Sequence, residues 1–268
     1  MNMSLRERAY AALRLGAMEA APTVVYDSAG YAPRWEDNVV QGLPLSPIVA
    51  DLANGAGREL DGKLRAAHSS AALAINIFGP WRNDPRTLRL AGASGFRSVR
   101  FEAICPTGLH GTPPHLDLLA EGESAVGVEA KCTEWMETKL AAFSPSYDRL
   151  RPLRGHSPWF AQIESLRARP DRYQFLDAAQ LVKHALGLMS CFGSVPVRLL
   201  YLYWEPRNAA DCPECQQHRA EVEDLARAVR GGSVEFISMS YRDLWSEWER
   251  GAPPPHLSYL RTRYDRAV

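Results

Sequence analysis

Residues 115–132 leave the chain little choice but a β-hairpin. Residues 115–120 (His-Leu-Asp-Leu-Leu-Ala) and 125–132 (Ala-Val-Gly-Val-Glu-Ala-Lys-Cys) are short, largely apolar runs separated by the turn Glu121-Gly122-Glu123. Two such runs across so tight a turn pair with each other. Side chains on a strand alternate between faces, so residues two apart share one. Glu129 and Lys131 therefore point the same way, and Val128 and Ala130 point the other. Asp117, on the first strand, can sit across from that pair. Two carboxylates and one ammonium are thereby expected beside an apolar core.

That grouping suits a particular chemistry. Hard cations such as Mg²⁺ take carboxylate oxygens and keep several waters. A metal held by Asp117 and Glu129, with the Ala130 carbonyl as a further candidate ligand, could polarise a phosphate and lower the pKa of a bound water. Lys131 could orient that water or offset charge building on phosphorus. The tripeptide (D/E)xK occurs three times, at Asp61-Gly-Lys63, Glu129-Ala-Lys131 and Glu137-Thr-Lys139. Only the second falls in an apolar strand pattern. The other two are read as helical, where residues two apart diverge. An exposed cross-strand ion pair is the plain structural alternative. Lysine is scarce, at four positions (63, 131, 139 and 183) among 31 basic residues, and the two cations are not interchangeable where a compact ammonium is needed.

Around the hairpin the period changes repeatedly. Residues 44–81 are mostly helical in spacing, interrupted at Asn54-Gly55-Ala56-Gly57, which reads as a helix break because it follows no strand and lacks a phosphate-loop lysine. Residues 96–105 alternate as a strand, with Val99, Phe101 and Ala103 on one side and Arg100 and Glu102 on the other. A helix is expected from Thr133, a plausible cap, and a strong one over 173–191. Residues 195–204 read as a central strand buried on both faces. A polar helix over 211–229, a strand over 234–239 and a helix over 241–250 follow. Helices before, between and after strands predict an α/β fold, a central mixed β-sheet flanked by helices.

Asp117 on one strand and Glu129-Ala-Lys131 on the next, preceded by a helix carrying an acid, resemble the PD-(D/E)xK nuclease superfamily. The segment order helix, strand, strand, strand, helix, strand over residues 44–204 is similar too. The resemblance implies a restriction-endonuclease-like core over 41–205, with an N-terminal helical extension (1–40) and a C-terminal helix-strand-helix extension of the same domain (206–268). It further implies Glu59 on the first helix as a support for the metal and Gln180 as counterpart of a glutamine found in some exonuclease branches. The name-giving Pro-Asp pair is Leu116-Asp117 here, and His184 replaces a tyrosine of those branches. The implied activity is Mg²⁺- or Mn²⁺-dependent hydrolysis of DNA, in restriction, repair or defence. Many relatives pair to cut both strands, so a homodimer is open. A non-catalytic nucleic-acid- or protein-binding module that keeps the nuclease fold is the alternative.

The bulk properties bound these readings. The chain of 268 residues, 46% hydrophobic, is long enough for a sizeable core. A net charge of zero argues against coating nucleic acid by bulk charge. Locally basic stretches at 82–100 and 149–172 read as solvated faces. Five cysteines without framework spacing, no signal peptide and no membrane-length apolar run suggest a cytoplasmic protein with reduced thiols. Cys212, Cys215 and His218 resemble half of a zinc site, which would make a zinc protein or small-molecule hydrolase. The plainer reading is a helix start with two ordinary thiols. The cluster Tyr201, Tyr203, Trp204, Tyr241, Trp245 and Trp248 reads as core packing, with base stacking as the functional alternative.

Overall fold

A computed structural model of the chain describes residues 3–55 and 62–268. The described residues form nine α-helices: α1 (Leu5–Ala20), α2 (Leu45–Asn54), α3 (Ser70–Phe78), the short α4 (Arg151–Arg154), α5 (Pro158–Ala168), α6 (Ala178–Cys191), α7 (Pro213–Ala228), α8 (Tyr241–Arg250) and α9 (Leu257–Tyr264). Five strands, β1 (Ser98–Ile104), β2 (His115–Glu121), β3 (Ala125–Lys131), β4 (Val197–Tyr203) and β5 (Val234–Ser240), build one sheet in sequence order. β1–β2 and β2–β3 pair antiparallel, whereas β3–β4 and β4–β5 pair parallel. Parallel neighbours need a crossover connection. The helices α4, α5 and α6 supply it between β3 and β4, and α7 between β4 and β5. This is the mixed-sheet α/β architecture implied by the sequence.

The sheet has a hydrophobic core on each face. On one, Val126, Val128 and Ala130 of β3 pack with α2, α3, α8 and α9. On the other, Leu116, Leu119, Leu199 and Tyr201 pack with α5, α6 and α7. β4 touches both cores, through Leu200 and Leu202 on one side and Leu199, Tyr201 and Tyr203 on the other. That explains its nearly unbroken apolar sequence. Gly127 lies where a Cβ would stand 2.8 Å from a Leu116 methyl and 3.0 Å from one of Leu188, so its lack of a side chain lets α6 approach β3. The first and last helices join: Ala9 and Leu13 of α1 share a core with Leu260 and Tyr264 of α9. Arg266 forms an ion pair with Glu19.

Several expectations are corrected. β1 does not keep one alternation: Val99 and Phe101 enter the first core, but Ala103 enters the second. The change falls at Glu102, whose φ of 46° is in the left-handed region. The segment after Thr133 is not a helix but one 3₁₀ turn, Glu134–Met136. The Glu134 carboxylate accepts from the Cys132 and Thr133 amides, and the Trp135 ring is drawn into the second core. Glu137 and Lys139 consequently lie in a non-helical segment, while Lys63 opens a 3₁₀ turn and Asp61 is outside the described residues. The helix expected over 173–191 begins only at Ala178. The amides of Gln174, Phe175 and Leu176 are instead taken by the carboxylate of Glu221 on α7.

Candidate active site

At the far end of the hairpin the β2–β3 ladder stops at Leu118 opposite Val128. Beyond it the Asp117 carboxylate replaces the backbone partner, and its Oδ2 accepts from the Ala130 amide at 2.6 Å. Glu129 projects from the same end of β3, 2% exposed. Its Oε1 lies 2.5 Å from Lys131 Nζ, two residues along the same face. Lys131 also donates to Gln180 Oε1 at 2.9 Å. Gln180 is held by the start of α6, where the Asp177 side chain accepts from its amide. One turn along α6, His184 Nε2 stands 2.7 Å from Glu129 Oε2, close enough for an ion pair but off the line of a hydrogen bond. Gln180 and His184, four apart, thus face β3 together.

Sequence reasoning missed two members of this cluster. One is His184. The other is Glu102 on β1, on the edge of the same cavity as Asp117 and Glu129. Its carboxylate lies 3.9 Å from His115 Nδ1, a buried nitrogen without a hydrogen-bond partner. A positive φ at a glutamate is costly and is kept where surrounding structure enforces it. Close packing against Gly55 helps: a Cβ on that glycine would come within 2.6 Å of the Glu102 Cβ. The signal in the sequence was only a polar residue on an alternating strand. Of the five residues singled out beforehand, Asp117, Glu129, Lys131 and Gln180 come together, and Glu59 lies outside the described residues.

The electrostatics follow from burial. Burial opposes ionisation of Glu129, but Lys131 and His184 more than offset it and hold its carboxyl at about 2. For Lys131, burial opposes the charge while Glu129 and Asp117 restore it, so its pKa is raised. Burial and the Glu129 carboxylate push the Asp117 carboxyl well above the usual range, with Glu102 adding to the effect and Lys131 opposing it. The site therefore carries more buried acid than its own cations neutralise. Hard oxygen donors in surplus suit a divalent cation. Among the described residues no three His, Cys, Asp or Glu side chains already stand at ligand spacing. Mg²⁺ keeps several waters and is commonly held by one or two carboxylates, so Asp117 and Glu129 fit such an ion in kind and number.

These groups form one side of a cavity of about 510 Å³. The same cavity is also lined by aromatic and basic groups. Tyr10 stacks on His68 with centroids 3.7 Å apart, Tyr31 meets His68 edge-on at 6.1 Å, and the Arg6 guanidinium lies over Tyr10 at 5.2 Å.

Elsewhere the other candidates resolve. Cys212 and Cys215 are buried, and burial raises the Cys215 thiol. His218 turns its ring onto Trp135 and its Nε2 to the Tyr201 hydroxyl at 3.0 Å. The aromatic cluster of 201–248 is buried in the two cores. In the basic stretches, Arg82, Arg86 and Arg100 pair with Asp51, Asp84 and Glu121, while Arg151, Arg167 and Arg172 pair with Glu164, Asp148 and Asp224. No described helix is long and apolar enough to cross a membrane.

A mixed sheet between two helical layers, with acids and a lysine gathered where a hairpin opens, defines a restriction-endonuclease-like α/β protein. The family described as Restriction Endonuclease associating with ARP matches residues 9–265, and the chain belongs to that family. No curated protein and no solved structure matches it.

Proposed function

We propose that the chain is a metal-dependent nuclease of the PD-(D/E)xK type that hydrolyses phosphodiester bonds of DNA. The observation that carries this reading is the convergence of Asp117, Glu129 and Lys131 in one cavity, with Lys131 Nζ 2.5 Å from Glu129 Oε1. Asp117 and Glu129 would hold Mg²⁺ or Mn²⁺, which when bound supplies Lewis acidity toward phosphate and water. Lys131, kept charged by Glu129 and aimed by Gln180, orients the attacking water and offsets charge developing on the phosphoryl oxygens. His184 fixes the Glu129 carboxylate from behind. Glu102, facing Asp117 across β1 and β2, supplies the third carboxylate of the cluster. The family description speaks of association with ARP, and we extend to this chain the reading that it works beside such a partner.

The test is cleavage of linear and circular DNA with Mg²⁺, with Mn²⁺ and with EDTA, comparing wild type with Lys131→Ala. Metal-dependent cutting that falls at least about 100-fold in the variant is expected. Cutting that survives Lys131→Ala would remove Lys131 from the reaction. Absence of cutting with every metal would move the chain to the non-catalytic alternative, a binding module on the same fold.

A further inference from the structure

Part of the lining of this cavity comes from the N-terminal helix, which supplies no residue of the catalytic cluster. Arg6 and Tyr10 stand four apart on α1 and so share a face, and that face is turned to the cavity. Together with His68 and Tyr31 they form a ladder of flat groups: guanidinium over phenol, phenol on imidazole, imidazole met by the edge of a second phenol. Burial lowers the pKa of His68, so this ring is neutral and serves as a stacking surface rather than a cation. Lys63 and Lys139 stand on the rim of the same cavity. Arg6 is paired with Glu137 and Lys139 with Asp177, which fixes both cations beside the opening.

Flat π-surfaces with cations around them hold unpaired bases and their phosphates with little regard to sequence. A cavity of about 510 Å³ is the size of a small-ligand site. In a duplex the bases are paired and stacked, so their flat faces are not free to lie on such a wall. Glu129 lies deep within the cavity, 2% exposed, and Asp117 is half-buried. A single strand can bring base and phosphate into such a space together.

Resting on the nuclease reading above, we infer that the substrate is an unpaired nucleotide, a single strand or a frayed end. Its base lies against the Tyr10–His68–Tyr31 wall while its phosphate reaches Asp117, Glu129 and Lys131.

The experiment measures fluorescence anisotropy of a labelled oligothymidine strand and of a blunt duplex of equal length, using Lys131→Ala protein in Mg²⁺ so that nothing is cut. The strand is expected to bind at least about tenfold tighter than the duplex. Adding Tyr31→Ala or Tyr10→Ala should weaken strand binding about tenfold and leave duplex binding unchanged. Tyr31→Phe and Tyr10→Phe, which keep the rings, should restore it. Thermal melting of each variant separates lost binding from lost folding, and the Phe variants keep the comparison usable where an Ala variant unfolds. Equal affinity for strand and duplex, or Ala variants that melt normally and bind the strand like their parent, would overturn the inference. Its failure is distinct from that of the nuclease reading. Metal-dependent cutting of duplex with no strand preference overturns this inference alone. Strand-selective, ring-dependent binding without cutting by the wild type upholds it and overturns only the catalytic reading.

Discussion

At the scale of single residues, His184 is the most informative side chain that the sequence did not put forward. It makes no expected contact with substrate, yet its Nε2 lies 2.7 Å from the carboxylate that Lys131 grips from the other side. Groups that orient a metal-holding carboxylate affect affinity for the ion, commonly by about 10–100-fold. His184→Ala is therefore expected to weaken Mn²⁺ binding by about that factor in calorimetry. His184→Gln, whose amide can donate to Glu129, should recover most of the loss. Equal Mn²⁺ affinity in wild type and His184→Ala would show that Glu129 needs no support from α6. Asp117, Glu129 and Lys131 were legible because strand alternation is a local rule. His184 and Glu102 were not. One required knowing which face of α6 meets β3, and the other a positive φ that breaks the alternation on β1.

At the scale of elements, the arrangement of α6 depends on a carboxylate from another helix. Glu221 of α7 accepts hydrogen bonds from three successive amides, those of Gln174, Phe175 and Leu176, just before α6 begins. Hydrogen bonds to a charged acceptor contribute roughly 1.5–3 kcal/mol each, and buried donors left unmade are costly. Glu221→Ala should lower stability by about 3 kcal/mol in urea unfolding. It should also reduce cleavage through displacement of Gln180. A loss under about 1 kcal/mol would mean that water replaces the carboxylate without cost. This element also shows where periodicity stops being enough. The apolar spacing of 173–191 is helical throughout, but three of the first five residues, Gln174, Phe175 and Leu176, spend their amides on Glu221, a partner 45 to 47 positions away. The same competition shortens the segment after Thr133, where Glu134 takes the amides nearest it. The strands were read nearly to their ends because their apolar runs are bounded by turns. Helix starts were read less well because side-chain carboxylates, distant at Glu221 and adjacent at Glu134, decide them.

At the scale of the whole molecule, acid should act through a buried neutral histidine. His218 is fully buried against Trp135, and burial lowers its pKa from 6.5 to about 3. Below pH 6.5 the unfolded chain takes up a proton at this position that the native protein refuses until about pH 3. The contribution is complete above pH 6.5 and is lost on acidification, at about 1.4 kcal/mol per pH unit across that window. His218→Gln keeps a hydrogen-bond partner for the Tyr201 hydroxyl and has no proton to gain. Its urea-unfolding stability is expected to fall less steeply with acid, by about one proton's worth of slope. Parallel pH profiles for the two proteins would assign the acid sensitivity to other groups.

The packing of α1 against α9 also bears on the order in which the protein is made. The wall that carries Arg6 and Tyr10 belongs to the first described helix, whose inner face lies on the last one. Synthesis proceeds from N- to C-terminus, so α1 leaves the ribosome long before the surface it rests on. A chain still attached to the ribosome has the hairpin and its acids but lacks α9 to seat the helix that shares their cavity. The aromatic side of the cavity is thereby completed only once α9 has been made.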